Sequence, residues 1–466
     1  MAVPPDSSSS ALAIDLVLEG AGSDNLTTLA LEHARITGGL WLHRERLPQR
    51  RDASGLKIGI QSSIATDPSG ADAVDLADLS DAYTSSTLPA EFERSAKTTS
   101  PRWLRIVAEV ERRLGFVLEP ELFSNMLFCA HLGRLEDPHI AATARGLLPT
   151  FRTSDVRGLY HFFVSMRFAC DVDCTAVAAR ARLQLGDIDL GVLPGVAELR
   201  RITGRILGSA AAGHVDPNVN RTHGKNNGEL RRHVFKVYLD DHAVQGAELD
   251  RGLKNDAVVV LNALHPVLLE LRTGLRSPTE VIGLHEYVEG RPLARTGHAE
   301  IADIVAANLA YATGHLLSGA WREGTRYYAS PEAFLFGFSD LLAHFPEVGD
   351  AFPLRDLLLA ALEDRSSADR NSLDLAFAAL TRRRLGEDAT AELTRLVDRQ
   401  DDDGAWRDFS PLFQLGTSSP RVYFGSAAQT TAFAVLALTD VDIAASDTPR
   451  GWLDEVLARW QTLAQV

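Results

Sequence analysis

From residue 101 onward the chain reads as one helix-forming segment after another, and that succession limits its fold more than any other feature. Apolar residues recur at helical spacing over about 102–115, 120–132, 138–148, 156–169, 173–186 and 195–212. The pattern resumes over about 253–272, 299–318, 331–344, 353–363, 368–384, 387–400, 427–438 and 449–463. Short turns carrying Pro, Gly, Asp or Ser separate these segments. Pro120, Pro331 and Pro353 stand where a first helical turn accepts a proline. No regular strand alternation interrupts the series. The expected fold class is all-α, with too many helices for a simple bundle.

The first hundred residues are different. Asn25 to Ile36 has a broad apolar face and predicts a helix, whereas 45–100 is rich in Ser, Thr, Asp and Gly and reads as loop. Lys57 to Ile60 is a short strand-like alternation. Further on, Gly319-Ala320-Trp321-Arg322 recurs unchanged as Gly404-Ala405-Trp406-Arg407. Each copy is followed by an Arg- and Tyr-containing turn and then a helix, which suggests stacked helical hairpins.

The stretch most suggestive of chemistry is Phe168-Ala169-Cys170-Asp171-Val172-Asp173-Cys174-Thr175-Ala176. Two carboxylates and two thiols meet at a helix start, with Tyr160-His161-Phe162-Phe163 just upstream. Two readings of the acidic pair are open. As a helix cap, Asp171 would accept backbone N–H groups and Asp173 would sit in a favourable first turn, which lowers a carboxyl pKa. As a working acid, Asp173 would be buried beside Asp171, which raises it.

Two motifs carry a resemblance. Gln400, Asp403, Gly404 and Trp406 fill all four positions of Q-x-x-D-G-x-W, and Asp171-Val172-Asp173-Cys174-Thr175-Ala176 is similar to D-x-D-D-T-A. The chain therefore resembles the class II terpene cyclases of the squalene–hopene and oxidosqualene cyclase superfamily. Cys174 replaces a carboxylate of the first pattern and matches the D-C-T-A string of the oxidosqualene branch. The resemblance implies an (α/α)6-type barrel over 101–466, with 1–100 as an irregular extension or a reduced second domain. It implies that Asp173 is the general acid, with Asp171 and Cys174 as its tuning partners. Tyr160, Phe162, Phe163, Phe168, Thr175, Tyr327 and Tyr328 are the candidate pocket residues. The expected reaction is protonation-initiated cyclisation of a linear isoprenoid, a C15 or C20 prenyl diphosphate in preference to squalene.

That chemistry suits these residue types. Protonating an isolated alkene needs a neutral carboxyl group sheltered from water, with fixed donors ready for the carboxylate left behind. The cation then needs a dry cavity with aromatic faces. No metal or cofactor is needed for the proton step, and Mg²⁺ enters only with a diphosphate substrate. Lys225, Arg231 and Arg232 form a basic cluster suited to a diphosphate.

Composition narrows the rest. The formal net charge of −15 argues against nucleic acid as a partner. No apolar run reaches the roughly 20 residues of a membrane span, and MAVPPDSSSS is no secretory signal, so a cytoplasmic protein is expected. Three cysteines do not make a disulfide framework. A protein-prenyltransferase-like barrel would need an Asp two residues before a zinc-binding Cys, and Cys129, Cys170 and Cys174 are preceded there by Leu127, Phe168 and Val172. A non-catalytic helical barrel that binds a partner is the other alternative.

Overall fold

The computed structural model describes residues 23–49, 60, 62–71, 73–75, 120–152, 155, 158–163, 169–214, 230–239, 254–284, 287–288, 291–292, 297–365, 369–415, 421–439 and 450–464. The expected helix over 102–115, the segment 57–59, Phe168 and Lys225 lie outside the described residues.

The helices divide by how much of their circumference is apolar. Among the described residues, six are buried on nearly every side: α2 (Phe123–Leu132), α4 (Val172–Gln184), α6 (Ala257–Arg272), α8 (Pro331–His344), α11 (Ser372–Arg384) and α13 (Ala427–Leu438). A helix without a polar face has to lie inside. Each of these packs on the next in chain order, and α13 packs back on α2. Others bury a single stripe, among them α3 (Pro138–Arg152), α5 (Leu193–Gly208), α10 (Leu354–Asp364) and α12 (Thr390–Val397). In α3 the buried positions Ile140, Ala144, Leu147 and Phe151 follow helical spacing. These striped helices pack against the outside of the buried ones. Helix α7 (Ile301–Leu317) is apolar over more of its surface because α14 (Asp454–Ala464) covers it, while α9 (Pro346–Gly349) is a single turn. Helix α1 (Ser23–Arg44) packs on α13, α3 and α12, so this part of the N-terminal segment is joined to the helical body.

Capping explains where the buried helices begin. Asp171, Asp256, Ser330, Asn371 and Ser426 are the N-cap residues of α4, α6, α8, α11 and α13, and each side chain accepts a backbone N–H of its first turn. Pro331 occupies the first turn of α8 as expected, whereas Pro353 is the N-cap of α10 and Pro120 precedes α2.

The molecule is mostly helical, yet short strands correct the strictly all-α expectation. β1 (Ser63–Ala65), β2 (Val74–Asp75), β9 (Pro411–Leu415) and β10 (Val422–Gly425) form an antiparallel sheet in the order β2-β1-β10-β9. The register Ile64↔Phe424 ties an N-terminal strand to a C-terminal one. The expected helix over 156–169 is also corrected. Tyr160–His161 is strand β3, paired with β4 (Cys170–Asp171) by Tyr160↔Asp171 and His161↔Cys170. A run of rings suits a pleated surface, and Gly158 at φ +85° turns the chain into it. Strands β5 (Val281–Leu284) and β8 (Gly297–Glu300) make a separate pair, as do β6 (Tyr287–Val288) and β7 (Arg291–Pro292).

The turn Gln400–Trp406 fastens α1 to the body. Gln400 Nε2 donates to the carbonyls of Ala34 and Gly404, each at 2.9 Å, and Trp406 Nε1 donates to Leu396 O at 2.7 Å. Gly404 has φ +98°, and a Cβ there would lie 2.4 Å from the Thr37 carbonyl oxygen. Replacing Gln400 by Ala removes both amide bonds, with an expected loss of about 1–3 kcal/mol in urea unfolding. An unchanged midpoint would show that the turn does not hold α1.

Candidate active site

Asp171 closes β4 in extended conformation, and its Oδ1 accepts the Cys174 N–H at 2.6 Å. The hydroxyl of Thr175 donates to Asp171 O at 2.7 Å and accepts the Tyr160 N–H at 3.2 Å, locking β3 to the first turn of α4. That lock aims Asp173 at two neighbours. Asn262 on α6 donates its Nδ2 to Asp173 Oδ1 at 2.8 Å, and the Tyr328 hydroxyl donates to Oδ2 at 2.5 Å. The same Asn262 nitrogen lies 3.3 Å from the Tyr328 oxygen, which closes the triangle.

The electrostatics favour a neutral acid. Burial pushes the Asp173 carboxyl up to about 8, the charge of Asp171 adds to that, and the Tyr328 and Asn262 donors oppose it. Burial likewise pushes Asp171 up to about 7, against its capping hydrogen bonds. The cap geometry is therefore present, but desolvation outweighs the lowering it brings. Cys174 does not serve Asp173. Burial holds its thiol well above the usual range, and its side-chain hydrogen bond is to Asp171.

A pocket of about 470 Å³, open mouth included, lies on this acid. Asp171, Asp173 and Cys174 form one side, and the rings of Phe123, Phe162, Tyr238, Tyr327, Tyr328 and Phe413 form much of the rest. Val237, Val259, Gln414 and Leu415 complete the wall. Phe413 makes edge contacts with Phe162 at 5.7 Å and Tyr328 at 5.9 Å between centroids. Among the described lining residues there is no Lys or Arg, although the Lys254 ammonium sits 5.4 Å from the Tyr238 ring centre.

Of the candidates, Asp171, Asp173, Cys174, Phe162, Tyr327 and Tyr328 come together at the pocket. Three others do not line it. Tyr160 turns its hydroxyl to Arg182, which donates at 2.9 Å. Phe163 packs edge-on behind Phe162 at 4.9 Å, and Thr175 is occupied by its backbone bonds. Arg231 and Arg232 are exposed and absent from the pocket wall; the Arg231 guanidinium lies over Tyr311 at 5.3 Å. Asn262, Tyr238, Phe123, Phe413 and Gln414 were not anticipated. Asn262 did leave a signal, as the one polar residue in the apolar run Ala257–Leu264.

A second buried polar cluster shares no residue with the pocket. His265, Asp340 and His344 offer ligand-type atoms within 4.8 Å of one another. Asp340, however, is already held by Arg180 and by Arg384 at 2.7 Å. Burial pushes its carboxyl up, but the two guanidiniums win and leave it well below the usual range.

No family model matches the chain. Over 133 residues it is 31% identical to the drimenol cyclase drtB of Aspergillus calidoustus, a match covering 28% of this chain and 25% of that protein. The match thus spans about a quarter of the curated relative's length. The curated relative is a cyclase. Among solved structures, the type II terpene cyclase MstE from Scytonema aligns with a TM-score of 0.48 at 11% identity, covering 88% of this chain and 97% of that one. A protein from Actinoplanes aligns with a TM-score of 0.36 at 15% identity, covering 69% and 90%. At these scores the structural likenesses carry no weight for function.

Because the Asp171 charge helps hold Asp173 up, Asp171→Asn is expected to lower the Asp173 pKa while keeping a good cap. Carbon-13 NMR titration of labelled aspartate checks this; an unchanged or higher value would contradict the coupling.

Proposed function

We propose that the chain is a class II terpene cyclase in which Asp173 is the catalytic general acid. The observation that carries this reading is a buried carboxyl group, held up near 8, at the wall of an aromatic pocket. Such a group is protonated at neutral pH and can deliver its proton to an alkene. The alkene π pair takes the proton, the next double bond attacks the resulting cation, and rings close along the chain. The carboxylate left on Asp173 finds the Tyr328 hydroxyl and the Asn262 amide already in place as donors. Donors preset on a developing anion are worth about 3–4 kcal/mol each at the upper end. The rings of Phe123, Phe162, Tyr327 and Phe413 offer their faces to the moving cation. Asp171 keeps Asp173 protonated at rest, and the thiol of Cys174 serves Asp171.

The architecture we read is an (α/α)6 barrel. Its inner helices are α2, α4, α6, α8, α11 and α13, and α1 supplies the outer partner of α13. The closed succession of helix contacts supports this. On this reading the segment 23–44 belongs to the barrel, and residue 100 is not a domain boundary. A linear isoprenoid, C15 or C20 in this reading, is the substrate class that suits a pocket walled mainly by aromatic and aliphatic side chains.

Asp173→Asn is expected to keep the fold, by circular dichroism and melting temperature, and to reduce cyclised product by about 10²–10⁴-fold or more. Full activity in that variant would sink the assignment. The acid must be protonated to act, so turnover is expected to fall as pH rises through about 8. A rate that climbs across that range would point to a base instead.

A further inference from the structure

The polar groups around the pocket are mostly engaged with one another. Asp173 holds Tyr328 and Asn262, Asp171 holds Cys174, and the hydroxyls of Tyr327 and Tyr238 share a hydrogen bond. Gln414 differs. Its Nε2 donates to the Thr325 carbonyl at 2.8 Å, and a carbonyl has no hydrogen to give. The partner therefore decides the amide orientation, with nitrogen toward Thr325 and Oε1 the other way. The residue is fixed from behind as well, since the Gln414 N–H donates to Tyr327 O at 2.8 Å. Gln414 lines the pocket, and the residue is only 4% exposed. Among the described residues no donor reaches Oε1. A carbonyl oxygen in such a place is met by water or by a ligand's O–H.

We infer that Gln414 is a positioning residue that holds one water beside the last carbocation, so that the product is a cyclic alcohol hydroxylated at a ring carbon. This rests on the cyclase reading above. The water is the co-reactant: a lone pair on its oxygen forms the C–O bond, and the oxonium so formed loses one proton to solvent water. The proton given by Asp173 stays on carbon, and Asp173 is recharged from solvent. The net change is addition of one water. The amide oxygen of Gln414 accepts a hydrogen bond throughout and keeps no proton, because a neutral amide is too weak a base. Phe413 and Leu415 on either side of Gln414 in the chain are apolar, so the water is held at one point of the wall and the rest stays dry.

The full chain is incubated with farnesyl and geranylgeranyl diphosphate in water labelled with oxygen-18, alongside Gln414→Leu and Gln414→Met. The wild type is expected to give cyclic alcohol labelled at a ring carbon, distinct from any alcohol at the chain end. In the variants the olefin-to-alcohol ratio among whatever cyclised product forms should rise about tenfold, the effect of one hydrogen bond, and the melting temperature should fall because the Thr325 carbonyl loses its amide donor. Wild-type product that is olefin alone, or an unchanged ratio in a folded variant, overturns the role of Gln414 and leaves the cyclase reading standing. No cyclised product from the wild type on either substrate overturns that reading and this inference with it. If neither variant folds, the wild-type label still decides: a labelled ring carbon supports the water, and its absence overturns it.

Discussion

A carboxyl group taken out of water, with two neutral donors resting on it, is the constraint on which the site depends. Asp173 joins three parts of the chain at one point: its own α4, α6 through Asn262, and the segment leading into α8 through Tyr328. Neither donor carries a charge. They can stabilise a carboxylate when it forms, but they do not hold the group ionised against the penalty of burial. Thr175 and the β3–β4 pair fix the geometry from the other side.

The second buried aspartate shows how the sign is decided. Asp173 and Asp340 are both buried, and burial alone pushes both upward. Asp340 has Arg180 and Arg384 against it and ends well below the usual carboxylate range. Asp173 has Tyr328, Asn262 and a second carboxyl, and ends near 8. Two residues of one type are thus divided by their neighbours into an ion-pair anchor and a carboxyl group that favours its neutral form.

Much of this was legible beforehand, for identifiable reasons. The buried helices announced themselves because each is apolar over most of its surface, and all but α2 open on a capping residue. The acid stood out because two carboxylates meet at the start of an apolar helix. Strand β3 was hidden: two residues are too few for alternation to show, and its partner is the equally short Cys170–Asp171 further along the chain. The cap argument named the right contact for Asp171 but could not weigh it against burial, which is a property of the tertiary fold. Gln414 gave no sign because its role depends on Thr325, 89 positions away in sequence. Cys174 looked like a partner of Asp173 through adjacency, although its helical position turns the thiol to Asp171.

The central claim is that cyclisation begins with a proton from the protein. The most direct measurement is the reaction in D₂O with a linear prenyl diphosphate, locating deuterium in the cyclised product. Protonation by Asp173 predicts one non-exchangeable deuterium on the ring methylene next to the gem-dimethyl carbon, with the diphosphate retained in the product, and no such product from Asp173→Asn. Cyclised product without deuterium at that position, formed with release of diphosphate, would contradict it.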